Sequence, residues 1–308
     1  MMTEIAVLGL GAMGSRMARK LIEAGYRVVG YNRTPDNAGI LEAEGVHFAN
    51  SPREAAAQAD IVISMVSDDA ASRAIWLSPD SGAVHGLRPG SIVIESSTLS
   101  LQWIHDLGTV IRQHGAEFLD APVAGSRPQA EAGQLIYFVG GSEQALERTR
   151  EVLSTMGATV HHVGPNGSGI MMKLAVNAIF GIQVAAFAEM LGMLEKCGIA
   201  IKDTVQILNE LPTTSPALKN VANQMAQQAF SPLFPIDLVE KDFRYVLEAA
   251  IGAGALVPTS NTVQEVFMNA KLQGYGEDNI SGVVQLYTSE SNEQRGRNQE
   301  GVSQSQVN

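Results

Sequence analysis

The sequence predicts an α/β N-terminal domain, built on a mostly parallel, doubly wound sheet, followed by an all-α C-terminal domain. Three observations carry this: short apolar runs alternate with helical segments up to residue 165, no strand-like run follows, and one long apolar helix begins near residue 168, between the two regimes. With 308 residues, 45% hydrophobic and 17% charged, the chain is long enough for two domains with sizeable cores. We place them at 1–165 and 166–290, with a polar tail at 291–308.

The first element is an apolar run at 3–8, which leads into Gly9-Leu10-Gly11-Ala12-Met13-Gly14. Helical periodicity over 15–24, then Gly25 and a second apolar run at 27–31, complete a strand, glycine turn, helix and strand. In that setting, within about thirty residues, Gly-x-Gly-x-x-Gly reads as a dinucleotide loop. One glycine permits the tight turn, one lets the backbone approach a pyrophosphate, and one lets the helix pack closely on the strand. The helix N-terminus then faces the phosphates with unpaired amides.

After the second strand the chain reads Asn32-Arg33-Thr34, where an NAD site ordinarily has a carboxylate for the ribose 2′-hydroxyl. A guanidinium and a hydroxyl suit a 2′-phosphate, so these residues favour NADP. NAD stays open if Arg33 only lies on the loop surface and Asn32 serves the ribose.

The alternation continues with a helix at 52–58, strands at 60–66 and 91–95, a helix at 101–114, and strands at 117–120 and 135–139. Ligands of such sheets sit beyond the carboxyl ends of the strands. That rule singles out Met65, Val66 and Ser67, and Ser97 with Thr98, as loops over the adenosine, ribose or nicotinamide. Asp68 and Asp69 read as solvent-facing loop carboxylates, not a metal pair. Val123-Ala124-Gly125-Ser126 offers amides and a hydroxyl to a carboxylate, or is simply a tight connection.

The long helix starts after the breakers Gly164-Pro165-Asn166-Gly167-Ser168 and runs to Glu195. It is apolar all round, the pattern of a helix buried against several neighbours, and would be about 40 Å long. Lys173 and Asn177 share one of its faces. A lysine among Met, Leu, Ala and Val is costly to bury without a partner or a task, and a desolvated lysine can trade a proton near neutral pH. The other reading is a lysine that snorkels to water. Beyond Gly198, helical segments at 201–211, 215–229, 236–251 and 259–273 are separated by Pro212, Pro232, Pro235 and Pro258. Their apolar faces exceed what they can bury alone, which predicts a homodimer or homotetramer. From 289 onward the chain is polar and is expected to be disordered, or ordered only against a partner.

Composition excludes several function classes. A net charge of −11 with scattered basic residues opposes nucleic-acid binding. The single cysteine, Cys197, rules out an intrachain disulfide and a multi-thiolate zinc site, and reads as a buried helix-end thiol; six dispersed histidines show no metal spacing. The chain enters its first strand without a signal-like segment, and Lys173, Gln183 and Glu189 interrupt the long helix, so we expect no membrane partner and a cytoplasmic protein.

Taken together, the glycine loop 9–14, Asp120-Ala121-Pro122-Val123-Ala124-Gly125 and Gly169-Ile170-Met171-Met172-Lys173-Leu174-Ala175-Val176-Asn177 resemble, in order, the three signatures of the β-hydroxyacid dehydrogenase family. That family is related to 6-phosphogluconate dehydrogenase. It includes 3-hydroxyisobutyrate dehydrogenases, tartronate semialdehyde reductases and glyoxylate/succinic semialdehyde reductases. The resemblance spans about residues 3 to 290. It implies a Rossmann domain, a helical domain hung on the long helix, and an active site in the cleft between them. It also implies that Lys173 is catalytic, that Asn177 positions the substrate or the lysine amine, and that Thr98 lies beside the nicotinamide. Lys241, in Glu240-Lys241-Asp242-Phe243, is implied to return an ammonium to the cleft and is counted with the cofactor-binding residues.

One departure is Ala124 where the family commonly has serine; Ser126 or the amides near Gly125 would then hold the substrate carboxylate. The segment 126–135 resembles the glyoxylate/succinic semialdehyde reductase branch and, with Arg33, favours an NADPH-dependent reductase of a small semialdehyde acid. The reaction implied is hydride transfer between the nicotinamide and a carbonyl carbon, with Lys173 as general acid in reduction and general base in oxidation. The rivals are an imine reductase, which usually lacks that lysine, and a non-catalytic NADP-binding regulatory protein.

Overall fold

A computed structural model describes residues 3–34 and 38–288. The expected tail at 291–308 lies outside the described residues. The chain divides into two compact units between Val176 and Asn177, inside the long helix.

In the first unit, strands largely alternate with helices. β1 (Glu4–Leu8), α1 (Gly14–Glu23), β2 (Arg27–Tyr31), α2 (Ala38–Ala43), β3 (His47–Phe48), α3 (Pro52–Gln58), β4 (Ile61–Ser64), α4 (Asp69–Leu77), β5 (Ile92–Glu95), α5 (Leu101–Gln113) and β6 (Glu117–Asp120) follow in order. β7 (Val123–Ala124), α6 (Arg127–Glu131), β8 (Leu135–Gly140), α7 (Glu143–Met156) and β9 (Gly157–Gly164) complete the unit. The sheet order is β3-β2-β1-β4-β5-β6-β8-β7, with β9 on β8. β3 through β6 are parallel, and β8 turns antiparallel against β6.

The order 3-2-1-4-5-6 is that of a dinucleotide-binding sheet, in which the strand order reverses between β1 and β4. Strands β4 and β5 are buried at every position, as a sheet covered on both faces requires. Helix starts follow capping chemistry: Ser51, Ser100 and Ser142 each accept from the backbone N–H three residues on. α4, α7 and β9 are additional to the elements expected from sequence, although α7 buries Ala145, Leu146, Thr149, Val152, Leu153 and Met156 at helical spacing.

α8 (Ser168–Lys196) runs from the first unit into the second, where α9 (Ile201–Glu210), α10 (Pro216–Ala226), α11 (Ile236–Ala253) and α12 (Pro258–Ala270) follow. Beyond α8 the described residues hold no strand, only an isolated bridge between Pro235 and Asn279. α12 stops short of the expected 273, because 271–275 winds as a π-turn in which Gly274 takes φ +91°. The second core gathers Val184, Ala188, Leu191, Phe243 and Phe267 among others.

Two expectations are corrected. α8 is not buried on all sides: Met171, Met172, Ile179, Met190 and Met193 stand exposed along one stripe, because the single chain covers only the rest of the helix. By length and composition α8 could also cross a membrane, yet it carries the buried Asn177 on its path and feeds Ile170, Leu174, Val184 and Leu191 into the interior. Cys197 is exposed, not buried, because it falls in the turn after Lys196, the last residue of α8.

Candidate active site

The glycine loop meets three separate steric demands. Gly9 takes φ +96°, and a Cβ there would overlap the carbonyl oxygen of Met65 at the end of β4. A Cβ at Gly14 would overlap the Gly9 carbonyl oxygen, so α1 could not approach β1. Nothing lies within 4 Å of the Cβ position at Gly11, which leaves this glycine facing open space where a phosphate can approach. Ala12 and Met13 form the turn that leads into α1, their carbonyls accepting from Arg16 Nη1 at 2.6 Å and from the Met17 amide at 3.0 Å.

Asn32 ties this loop to the next strand: its Oδ1 accepts from the Leu10 amide at 3.1 Å and its Nδ2 donates to the Thr34 carbonyl. Its carboxamide oxygen is thus already engaged, while Arg33 and Thr34 are exposed beyond β2. At the neighbouring strand ends, the Val66 amide donates to Ser97 Oγ at 2.8 Å, which joins the β4 loop bearing Met65 and Ser67 to the β5 loop bearing Thr98. Asp68 and Asp69 are not the solvent-facing pair expected. Asp68 caps α4 through the Ala71 amide at 2.8 Å, and Asp69 accepts from both the amide and Oγ of Ser100.

Beneath these loops lies Glu95, with no exposed surface. Its carboxyl accepts from the Ser97 amide at 3.0 Å, from Ser72 Oγ at 3.1 Å and from Trp76 Nε1 at 3.1 Å. Burial pushes it above the usual carboxylate range, against the pull of these hydrogen bonds. A glutamate closing an otherwise apolar strand was the available signal for it.

In the loop expected to hold a carboxylate, Ala124 pairs with Ile136 of β8. Gly125 takes φ +117°, and the Ser126 amide donates to Gln129 Oε1 at 2.9 Å. Sequence reasoning passed over Arg127: its Nε is enclosed and makes no hydrogen bond within the protein.

Lys173 is half-buried on α8. One turn on, Asn177 is 8% exposed, and its Nδ2 donates to Asp242 Oδ2 at 2.5 Å. Asp242 also holds Lys241, whose Nζ lies 3.2 Å from Oδ1 and 5.2 Å from the centre of the Tyr245 ring. Asn177, Asp242 and Lys241 are therefore one buried polar chain, and Asp242 is the member that sequence reasoning left without a role. Among the described residues no group of three or more His, Cys, Asp or Glu is arranged to hold a metal.

Residues 4–164 match the family model described as the NAD binding domain of 6-phosphogluconate dehydrogenase, and residues 167–287 match that of the NAD-binding domain of NADP-dependent 3-hydroxyisobutyrate dehydrogenase. The chain belongs to the β-hydroxyacid dehydrogenase family. An uncharacterized oxidoreductase of Synechocystis sp. is 34% identical over 287 residues, covering 92% of this chain and 98% of that protein. Glyoxylate/succinic semialdehyde reductase 2 of Arabidopsis thaliana is 31% identical over 281 residues, 91% of this chain and 78% of that one. The crystal structure of 3-hydroxyisobutyrate dehydrogenase from Salmonella typhimurium superposes with a TM-score of 0.85 at 27% identity, covering 92% of this chain and 100% of that one.

As a β-hydroxyacid dehydrogenase the protein is an NAD(P)-dependent oxidoreductase that acts on CH–OH groups. The first unit fits that cofactor: an open face at Gly11, a helix N-terminus behind it and no carboxylate in Asn32-Arg33-Thr34.

Proposed function

We propose that this dehydrogenase is an NADPH-preferring reductase of a small carboxylate-bearing aldehyde, a semialdehyde acid or glyoxylate, that uses Lys173 as its general acid. The observation that carries this is a half-buried lysine on α8 one turn before a carboxamide locked by Asp242. Bound nicotinamide dinucleotide supplies the hydride chemistry. Lys173 Nζ gives a proton to the carbonyl oxygen during reduction and takes it back during oxidation. Asn177 is held by Asp242 in one rotamer, so its amide orients the substrate oxygen or the lysine amine without further ordering.

The substrate carboxylate falls to Gly125, Ser126 and the guanidinium of Arg127, whose Nε is enclosed, and these replace the hydroxyl absent at Ala124. Gly9, Gly11, Ala12, Met13 and Gly14 receive the pyrophosphate, and Arg33 with Thr34 the 2′-phosphate. Met65, Val66, Ser67 and Thr98 border the rest of the dinucleotide, and Lys241 contributes its charge to the same site. Likeness to the Arabidopsis reductase supports the substrate class. Self-association belongs to the same proposal, supported by Ile251, Leu256 and Leu272, which are 81, 94 and 78% exposed.

Initial rates of NADPH and NADH oxidation with glyoxylate, succinic semialdehyde, tartronate semialdehyde and methylmalonate semialdehyde test the reading. We expect an NADPH-preferring rate on one of the first two, reduced about 10²- to 10⁴-fold in Lys173→Ala with cofactor affinity kept. Near-full turnover by Lys173→Ala would remove the lysine from the mechanism.

A further inference from the structure

We infer that Asp120 is a positioning residue for Lys173: it grips the first turn of α8 with both carboxylate oxygens and so sets the rotation and height at which the lysine is presented. The inference rests on Lys173 being the general acid. Asp120 ends β6 and has no exposed surface. Its Oδ1 accepts from the Gly167 amide at 2.8 Å, just before α8, and its Oδ2 from the Ile170 amide at 3.0 Å. Asn166 Nδ2 reaches Oδ1 at 3.4 Å and also donates to the carbonyls of Phe118 and Gly140, at 2.9 and 3.2 Å, which fastens the same turn to β6 and β8.

The grip has little slack. A Cβ at Gly169 would overlap the carbonyl oxygens of Asp120 and Phe138, and one at Gly140 would lie 2.5 Å from Asp120 Oδ1. Two donors three positions apart fix a helix both along and about its axis, where a single bond would leave it free to turn. Lys173 is three residues beyond Ile170, about 4.5 Å further along the axis and about 60° round it, so its place follows directly from that of the gripped amide. A slip of one residue would rotate it by about 100°. A simple cap needs one oxygen and tolerates water; here the acceptor is a carboxylate taken wholly out of water, a costly arrangement unless its hydrogen bonds are all made. Burial raises its pKa while the Gly167 and Ile170 amides and Asn166 oppose the rise.

The test is a double-mutant cycle on the full chain, with steady-state kinetics for Asp120→Asn, Lys173→Ala and the pair. We expect Asp120→Asn to lower kcat about 10- to 100-fold, the cost of displacing a catalytic group by about 1 Å. KM for NADPH should stay within about twofold, and on the Lys173→Ala background the same substitution should change the rate by less than about twofold, since no lysine remains to be misplaced. Hydrogen exchange at the Gly167 and Ile170 amides should accelerate while the middle of α8 stays protected. An unchanged kcat in Asp120→Asn, or an equal loss with and without Lys173, overturns the positioning role. Turnover that survives Lys173→Ala alone defeats the catalytic reading instead, so the two failures are separable. If Asp120→Asn does not fold, Asn166→Ala loosens the same turn and enters the same cycle. There a kcat loss confined to the Lys173 background supports the role, and no loss, or an equal one, overturns it.

Discussion

At Arg33 the decisive feature is what the position lacks. No carboxylate follows β2 to repel a 2′-phosphate, and the guanidinium is exposed where one would lie. Arg33→Ala should therefore raise KM for NADPH about 10- to 100-fold, the value of a charge-assisted contact, and leave KM for NADH nearly as it was. Equal loss for both cofactors in initial-rate assays would show that Arg33 does not read the 2′ position. Glu95 makes a separate prediction in pH. Because burial raises its carboxyl, the folded state holds the proton more readily than the unfolded chain. Its contribution to stability is therefore greatest at low pH and is lost as pH rises through the folded-state pKa. Glu95→Gln cannot ionise, though it mismatches one of three donors at a cost of about 1–3 kcal/mol. The Tm gap between variant and parent should move in the variant's favour as pH rises above the ordinary carboxylate range. A gap that does not change with that rise would mean Glu95 titrates alike in both states.

The elements differ in how readily they show themselves in sequence. The glycine loop is readable because its three demands fall within six consecutive positions, between a strand and a helix. Two substitutions separate those demands. Gly14→Ala should damage folding, since its Cβ meets the Gly9 carbonyl, whereas Gly11→Ala should fold with nearly the parent Tm and bind NADPH more weakly, since its Cβ meets only the space meant for ligand. Thermal melts with and without NADPH distinguish them, and a Gly11→Ala protein that keeps full affinity would take the pyrophosphate elsewhere. By contrast, the partners of the polar groups are unreadable. Asp242 lies 65 positions from Asn177, Ser100 31 from Asp69, and Ile170 50 from Asp120, and no local period links them. Cys197 and the Asp68-Asp69 pair were misjudged for a related reason: exposure and burial depend on what the rest of the chain brings alongside.

For the whole molecule, the exposed apolar residues of α8 and the helical unit predict self-association. Light scattering should return a homodimer or homotetramer, and a stable monomer would remove that expectation. Spacing along the chain was enough for β1, β2, β4, β5, β6 and β8 with the helices α1, α3 and α5 among them, for the helical character of the described second unit, for the dinucleotide loop, and for Lys173 and Asn177 on one helical turn. The family resemblance carried by those same short motifs holds for the same reason. Only the tertiary structure decided that Asp242 locks Asn177, that Glu95 underpins the β4 and β5 loops, that Arg127 Nε is left unsatisfied, and that Asp120 grips the start of α8. Hydrogen bonds between distant residues depend on how the sheet and helices stack, and a buried polar group takes whichever partner that stacking brings within about 3 Å.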